Sequence, residues 1–269
     1  MKVKTGETMT PQQNDEAAGI LLANWNATTR IDALPEAARP GDRAAGYGVA
    51  AALARLSGDT VAGWKIAATS EAGQKHINVE GPLAGRILSR RLLAPGATIP
   101  FENNLMKVAE AEFAFVLGRA MPERGTPYSQ DEVMDAVSAL RLSIEVPDSR
   151  YVDFTKVGAP SLIADTACAA WLALGPEVAA DWRGLDLSSH QVTAYRNDEQ
   201  AAVGSGKAVL GDPRIALTWL VNEAARYGGG VEAGQFVTTG TCVVPVKIES
   251  GDEIRADYGV LGTIDARIG

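Results

Sequence analysis

Cysteine and histidine are scarce in this sequence of 269 residues, which contains two of each. Cys168 and Cys242 lie in apolar stretches and no Cys-x-x-Cys motif occurs, so a disulfide scaffold and a thiol-rich zinc site are excluded. His76 and His190 lack the His-Glu-x-x-His spacing of zinc proteases, and there is no Gly-x-Ser-x-Gly nucleophile motif. Any chemistry must therefore depend on carboxylates and lysine.

The sequence also lacks an apolar run of membrane-spanning length and an excess of basic side chains. Its 33 Asp and Glu residues outnumber its 25 Lys and Arg residues, for a formal net charge of −8. We therefore expect no membrane span, and neither a nucleic acid nor an anionic membrane as the main partner. The basic residues 1–6 are not followed by an apolar segment or a cleavage site of a signal peptide. These features favour a cytoplasmic protein.

The periodicity of apolar residues predicts an α+β fold, with two helices first and a mainly β body after them. A boundary near residue 80 would separate a helical region, 1–80, from this body, 81–269. Residues 1–14 are polar and aperiodic, and residues 148–165 are expected to be irregular. Helices are predicted over residues 15–25, 42–56, 71–78, 129–142 and 213–228. The last of these is expected to begin with Asp212 as its N-cap and Pro213 at its first position. Strands are predicted over residues 61–68, 108–117, 143–146, 166–174 and 191–203.

Glu110 and Glu112 lie two residues apart on the most apolar predicted strand, 108–117. Side chains at this spacing point to the same face, about 7 Å apart along the strand. Two carboxylates in an apolar setting repel each other, and a divalent cation such as Mg²⁺ or Mn²⁺ would relieve that repulsion. The alternative is a solvated strand face, which the apolar neighbours disfavour.

Two more charged residues lie within apolar strands. Glu145, in the segment Ser-Ile-Glu-Val-Pro, fits as a third ligand for the same cation. Lys65, in Gly-Trp-Lys-Ile, is a candidate acid or base, because burial lowers the pKa of a lysine. The alternative for Lys65 is a strand-edge lysine whose ammonium reaches water. Gly204-Ser205-Gly206-Lys207 lacks the leading glycine and the final hydroxyl of a phosphate-binding loop and is rejected as one.

Together these motifs resemble one family, the 2-keto-4-pentenoate hydratases and 4-oxalocrotonate decarboxylases of aromatic meta-cleavage pathways, within the fumarylacetoacetate hydrolase superfamily. The resemblance extends from about Glu16 onward. The motifs that carry it are Gly63-Trp64-Lys65-Ile66 with Thr69-Ser70, Glu110-Ala111-Glu112, Glu145 with Asp148-Ser149-Arg150, Leu210-Gly211-Asp212-Pro213 and Thr239-Gly240.

The resemblance implies a β-rich catalytic body of the fumarylacetoacetate hydrolase type, 81–269, behind the smaller helical region. It implies Mg²⁺ or Mn²⁺ held by Glu110, Glu112 and Glu145, with Lys65 beside the substrate as a proton shuttle or electrostatic partner. The expected partner is a small-molecule 2-oxo acid. A homo-oligomer is also expected, and pairing with a related hydratase or decarboxylase subunit stays open.

Four further positions are implied to contact the substrate: Leu83, Asp165, Cys168 and Thr239. Leu83 stands where the hydratases usually carry an acidic residue and the decarboxylases an apolar one. Cys168 replaces the serine of the family's Asp-Asn-Ala-Ser motif, so a hydroxyl has become a thiol.

The resemblance thus predicts a metal-dependent lyase, with hydratase placed first because it is the commoner activity in the group. Decarboxylase is the main alternative, and Leu83 favours it, because adding water to a substrate needs a group that holds the water. An acylpyruvate C–C hydrolase would need a His–Glu pair, for which His76 and Glu80 are the one candidate. A non-catalytic keto-acid-binding subunit is the third alternative.

Overall fold

The structure is a computed structural model that describes residues 9–269. Most of the predicted polar start, residues 1–8, lies outside the described residues. Within them the helices are α1 (Pro11–Ala27), α2 (Arg43–Ser57), α3 (Glu71–His76), α4 (Gln130–Ala136), α5 (Gly158–Ala164) and α6 (Pro213–Tyr227). The first strands are β1 (Val61–Ala67), β2 (Leu83–Leu88), β3 (Leu92–Leu93), β4 (Thr98–Ile99), β5 (Val108–Leu117), β6 (Met121–Pro122), β7 (Val137–Val146) and β8 (Trp171–Glu177). The remaining strands are β9 (Gln191–Arg196), β10 (Glu199–Ser205), β11 (Gly230–Val231), β12 (Phe236–Thr241), β13 (Val246–Lys247), β14 (Glu253–Asp257) and β15 (Thr263–Ile268).

Side-chain caps fix the ends of the main helices. Thr10 and Gln13 form a capping box that begins α1, four residues before the predicted start. Asp42 caps α2 by accepting from the amide of Ala45 at 2.9 Å. Asp212, the predicted N-cap, caps α6 by accepting from the amide of Arg214 at 2.7 Å. Helix α2 packs against both α1 and α5, which gives the N-terminal part its own apolar cluster.

Two sheets form the β body. The larger has eight strands in the order β2-β1-β12-β5-β7-β8-β3, with β13 also paired to β5. The smaller has five strands in the order β10-β9-β14-β15-β4. The main apolar core includes side chains of both sheets, and Phe113, Phe115 and Leu117 of β5 are fully buried in it. The predicted mixture of helices and strands is confirmed, and no helix among residues 9–269 has the length and apolar character to cross a bilayer.

The structure corrects the sequence prediction in three segments. The helix that begins at Ser129 ends at Ala136, and residues 137–146 form a single strand, because β7 bonds to β5 on one side and β8 on the other. The segment 148–165 is not wholly irregular, since it contains α5. Residues 166–168 form a tight turn rather than the start of a strand, and β8 begins at Trp171.

The predicted boundary near residue 80 stays a prediction. Strand β1 precedes it and pairs with two strands that follow it, β2 and β12. The chain therefore contributes to the large sheet from residue 61 onward.

Candidate functional site

The three glutamates meet because of the register between β5 and β7. Glu110 pairs directly with Glu145 across these antiparallel strands, and Glu112 follows Glu110 on the same face. One carboxylate oxygen from each of the three lies within 4.8 Å of the others. Glu112 and Glu145 are buried and Glu110 is half-buried. The cluster predicted from sequence spacing is therefore present in the fold.

Few hydrogen bonds satisfy these carboxylates. The ladder between β12 and β5 is interrupted between Thr238 and Thr241, and the Gly240 amide donates to Glu112 Oε2 at 3.0 Å. Oε1 of Glu112 and Oε2 of Glu145 are buried without a hydrogen-bond partner. Buried polar atoms are rarely left unpaired, so these oxygens are suited to bind a cation.

Lys65, on β1, is buried beside the cluster and is 2% exposed. Its ammonium donates to the carbonyl oxygen of Ala167 at 3.0 Å, and its Nζ lies 3.2 Å from Oε1 of Glu145. The alternative of a lysine that reaches water is therefore wrong. Lys65 forms a buried ion pair at the edge of the glutamate cluster.

The charges of this cluster control its protonation. Burial lowers the pKa of Lys65, but the carboxylates of Glu145, Glu110 and Glu112 outweigh it, so the pKa is raised above its usual value. The lowered pKa expected from the sequence is therefore wrong, and Lys65 is an ammonium here. Burial, with the charge of Glu145, raises the pKa of Glu110 to about 7 despite the opposing effect of Lys65. Burial likewise raises the pKa of Glu112 and of Glu145.

This donor set fits a hard divalent cation. When all three carboxylates are ionised, they exceed the one ammonium by two negative charges, which one divalent ion would neutralise. All the donors are oxygens, the atoms that Mg²⁺ prefers, and no sulfur or imidazole ligand belongs to the group found in residues 9–269. The unpaired oxygens of Glu112 and Glu145 give such an ion ligands that no protein group occupies.

The cluster lies beside a cavity of about 690 Å³. Lys65 and Glu110 line it directly, and most of the remaining wall is apolar. The apolar side chains are Ile66, Ala67, Ala68, Ala72, Ile77, Leu83, Met106, Leu162, Ala167, Val203, Ala208, Val243 and Val244, with Pro147 and Pro245. A large apolar cavity with a few convergent charged groups is the usual form of a small-molecule site.

Two of the four predicted substrate contacts line this cavity. Leu83 is fully buried at the start of β2, and Cys168 is 5% exposed. Burial raises the pKa of the Cys168 thiol to about 12, with a further contribution from Asp165, so the thiol stays protonated.

The other two predicted contacts do not line the cavity. The carboxylate of Asp165 forms a buried ion pair with Arg150 and accepts from the hydroxyl of Ser149 at 3.0 Å. The hydroxyl of Thr239 donates to the carbonyl of Phe113 at 3.3 Å. Their roles at the substrate stay predictions, since the structure gives both side chains partners within the protein.

Asp165 and Arg150 support a strained turn beside the cavity. Thr166, Ala167 and Cys168 have φ angles of 50°, 51° and 62°, in the left-handed region that non-glycine residues rarely adopt. Arg150 donates to the carbonyls of Asp165, at 2.8 Å, and Ala169, at 3.2 Å, on either side of the turn. The turn aims the Ala167 carbonyl at Lys65 and places Cys168 in the cavity wall.

Several cavity residues were missed by sequence reasoning. Lys207 belongs to the motif rejected as a phosphate-binding loop, yet it lines the cavity. Met106 and Leu162 lie on segments with no motif, and nothing in their local sequence places them here. The paired glycines before Lys207 were the available signal, because glycines at this spacing mark close approach of backbones.

Comparisons with known proteins agree with the resemblance drawn from the sequence motifs. A family model described as fumarylacetoacetate (FAA) hydrolase C-terminal matches residues 72–269. The chain is 30% identical over 259 residues to a 2-keto-4-pentenoate hydratase of Paraburkholderia xenovorans strain LB400, which covers 95% of each chain. It is 31% identical over 210 residues to a 4-oxalocrotonate decarboxylase of Pseudomonas sp. strain CF600, which covers 78% of each.

A solved structure extends the comparison to the fold. The 4-oxalocrotonate decarboxylase of Pseudomonas putida G7, complexed with magnesium and adipate, superposes with a TM-score of 0.85. The two chains are 27% identical, and the match covers 98% of this chain and 100% of the other. The resemblance and the fold type inferred from the motifs are confirmed.

The glutamate cluster predicts how Mg²⁺ and the substitution Glu112→Gln change the thermal stability of the protein. We expect Mg²⁺ to raise the thermal unfolding temperature of the unmodified protein, since a ligand at 100 times its Kd stabilises by about 2.7 kcal/mol. Glu112→Gln should lose most of this gain, and its metal-free form should be at least as stable as the metal-free parent, because a repelling buried charge is removed. Calorimetry with and without Mg²⁺ measures both, with exposed Glu123→Gln as control. A full Mg²⁺ shift in Glu112→Gln would contradict the cation site.

The buried pair of Arg150 and Asp165 predicts a large loss of stability for Asp165→Asn. The substitution leaves the guanidinium without its counter-charge, and breaking a buried pair costs about 3–5 kcal/mol. Glu253→Gln, which breaks the exposed pair with Arg267, should cost less than about 1 kcal/mol. Urea unfolding measures both. Unchanged stability in Asp165→Asn, together with weaker ligand binding, would instead assign Asp165 to the substrate.

Proposed function

This chain belongs to the fumarylacetoacetate hydrolase family, and from this premise we propose that it is a metal-dependent lyase that hydrates a short 2-oxo or 2-hydroxydienoic acid. Acids of this kind arise in the meta-cleavage catabolism of aromatic compounds. The proposed ion is Mg²⁺, and Mn²⁺ prefers the same oxygen ligands. The homo-oligomeric state and the cytoplasmic location stay predictions.

One observation carries this proposal: three carboxylates, two of them with unpaired buried oxygens, meet one buried lysine beside a cavity of about 690 Å³. Such a cluster is costly to bury without a ligand, so its position beside an apolar cavity indicates a chemical role. A non-catalytic binding subunit would not need a charged lysine there.

Each residue of the glutamate cluster, together with Lys65 and the Gly240 amide, has a distinct role in this proposal. Glu110, Glu112 and Glu145 would hold the cation, which when bound polarises the 2-oxo group and stabilises negative charge that develops on its oxygen. The Gly240 amide and Lys65 fix Glu112 and Glu145 in orientation. Lys65 carries a proton on Nζ at the cavity wall and can deliver it to a carbanionic carbon of the substrate.

The cavity has the features that hydration requires. Its volume exceeds that of a five- or six-carbon acid, so it leaves room for a water molecule, which needs about 30 Å³. Thr69, Ser70, His76 and Thr241 contribute polar groups to a wall that is otherwise mainly apolar. These groups can hold a water molecule near the distal part of the substrate.

Decarboxylation is the second candidate, and Leu83 favours it. The side chain is fully buried in the cavity wall, where it provides no group to hold or deprotonate water. An apolar wall beside a departing carboxylate favours the neutral product CO₂ over the charged reactant.

The acylpyruvate hydrolase is less well supported. His76 lies at the cavity, but Glu80 does not line it, and no hydrogen bond joins the two in the part of the chain that the structure describes. The pair needed to activate water is therefore not formed.

An assay of two acids tests the proposal. With Mg²⁺, we expect the protein to consume 2-hydroxypenta-2,4-dienoate, seen as loss of dienoate absorbance, and to release no CO₂ from 2-oxo-3-hexenedioate. EDTA should abolish the reaction. CO₂ release without hydration would move the assignment to the decarboxylase, and no Mg²⁺-dependent reaction of either acid would contradict a lyase.

The same assay tests Lys65. We expect Lys65→Ala to lower kcat by about 10²–10⁴-fold, the usual contribution of an acid–base group, while calorimetry still detects Mg²⁺ binding. Lys75→Ala, an exposed lysine of α3, is the control and should keep the parental rate. Lys65→Met retains more of the side-chain volume and separates lost chemistry from a collapsed site. An unchanged kcat in Lys65→Met would remove Lys65 from the mechanism.

A further inference from the structure

A second, smaller cleft of about 170 Å³ shares no lining residue with the cavity at the glutamates, within residues 9–269. Its wall includes Trp25, Arg30, Arg91, Glu102, Asp148 and Trp171. One chain segment connects the two spaces, since Pro147 lines the cavity and Asp148 lines the cleft. The proposed lyase reaction uses none of these cleft residues.

Two tryptophan rings hold Arg91 at this cleft. Strand β3 pairs in parallel with β8, with Leu92 opposite Leu172, so the preceding residues, Arg91 and Trp171, lie side by side. The guanidinium carbon of Arg91 lies 4.5 Å from the ring centre of Trp171 and 4.7 Å from that of Trp25, on α1. Stacking on aromatic rings covers the faces of a guanidinium and leaves the N–H groups in its plane free to donate.

These N–H groups of Arg91 have no hydrogen-bond acceptor or ion-pair partner among residues 9–269. The other two arginines of the cleft are engaged within the protein. Arg30 pairs with Asp148 at 2.7 Å, and Arg150 forms the buried pair with Asp165. Arg91 is therefore the guanidinium at the cleft that no acceptor in the described chain engages.

The charges around Arg91 favour an anion beside it. Burial, with the charges of Arg150 and Arg90, lowers the pKa of Arg91 to about 10, despite the opposing effect of Asp148. The guanidinium still carries its proton at neutral pH, but its surroundings disfavour the charged form. A negative charge against its N–H groups would stabilise that form.

The geometry of these donors indicates the class of ligand. A planar guanidinium presents parallel N–H groups that match two oxygens of a carboxylate or a phosphate. A water molecule needs about 30 Å³, so a cleft of about 170 Å³ has room for a small anion of either kind. Glu102, which is exposed at the same cleft, repels a large negative charge and therefore favours a small ion.

We infer that this cleft is a second small-molecule site, which binds a small oxyanion through the guanidinium of Arg91. Carboxylates and inorganic phosphate share the required chemistry. The ion would lie beside the segment 148–150, in which the Asp148 amide donates to the carbonyl of Cys168 at 3.0 Å and Arg150 supports the cavity turn. The site goes beyond the proposed function and does not depend on it, because it uses neither the glutamates nor Lys65.

Calorimetric titration of the full chain with sodium phosphate, and separately with sodium acetate, tests the inference. Sodium chloride keeps the ionic strength constant. No divalent ion is added, because a metal at the glutamates would offer either anion a second site. We expect saturable binding of at least one anion at one site per chain, and the tighter of the two distinguishes phosphate from carboxylate.

Arg91→Gln should weaken this binding at least about tenfold, because it removes the charged donors. Arg90→Gln is the matched control: it removes the same charge one residue away, and Arg90 pairs with Asp59 outside the cleft at 2.9 Å. It should keep the Kd of the parent within about twofold, as for an exposed charge. Absence of saturable binding of both anions by the parent, or the parental Kd in Arg91→Gln, would overturn the inference.

Glu102→Gln tests the site from the opposite sign of charge. It removes an exposed negative charge from the cleft, so the anion should bind about two- to fivefold more tightly. If Arg91→Gln does not fold, this surface variant decides, and an unchanged Kd would overturn the inference. Since these titrations contain neither Mg²⁺ nor a 2-oxo acid, their failure is distinct from a failure of the proposed function.

Discussion

The register between β5 and β7 is the constraint on which the site depends. It places Glu110 opposite Glu145, and the alternation of side chains along β5 adds Glu112 to the same face. A shift of one residue would turn the glutamates of one strand toward the opposite face of the sheet and separate them from the others. The apolar side chains of β5 oppose such a shift, because Phe113, Phe115 and Leu117 would then leave the core. The same packing that stabilises the sheet therefore aligns the carboxylates.

The site is unfavourable for stability when it holds no ion. Three carboxylates share one ammonium, and burial raises the pKa values of all three. Beside the cluster, the buried pair of Arg150 and Asp165 holds the cavity turn in place. Arg150 also lies over the ring of Trp25, at 4.3 Å, so a helix of the N-terminal part contacts the residue that supports the cavity turn. Helix α1 thus contributes to the site without lining the cavity.

The sequence was most informative where one local pattern determines the structure. Strand β5, the cap at Asp212 and the glutamate pair follow from short-range patterns, and the structure has them where predicted. Prediction failed where contacts between residues far apart in the sequence determine the secondary structure. Residues 137–142 have helical spacing but are a strand because they bond to β5 and β8, and no local signal shows that.

The same limit applies to side-chain direction and charge. Motif order could not show that Asp165 turns toward Arg150 rather than toward the cavity. The protonation of Lys65 likewise depends on carboxylates that only the folded chain brings near it. Sequence spacing therefore predicts which residues lie close together. It is less reliable in predicting which groups each side chain contacts.

The left-handed turn at residues 166–168 has a consequence for protein engineering. Each non-glycine residue in this conformation costs about 1 kcal/mol or more, so the turn lies above its relaxed state and is kept in place by Arg150 and Asp165. Substitutions at residues 166–168 are therefore expected to lower stability, whereas Val203 and Val244, whose side chains are exposed at the cavity, can vary with little cost to the fold. New substrate preferences are thus most accessible by diversifying such exposed cavity residues and leaving the turn unchanged.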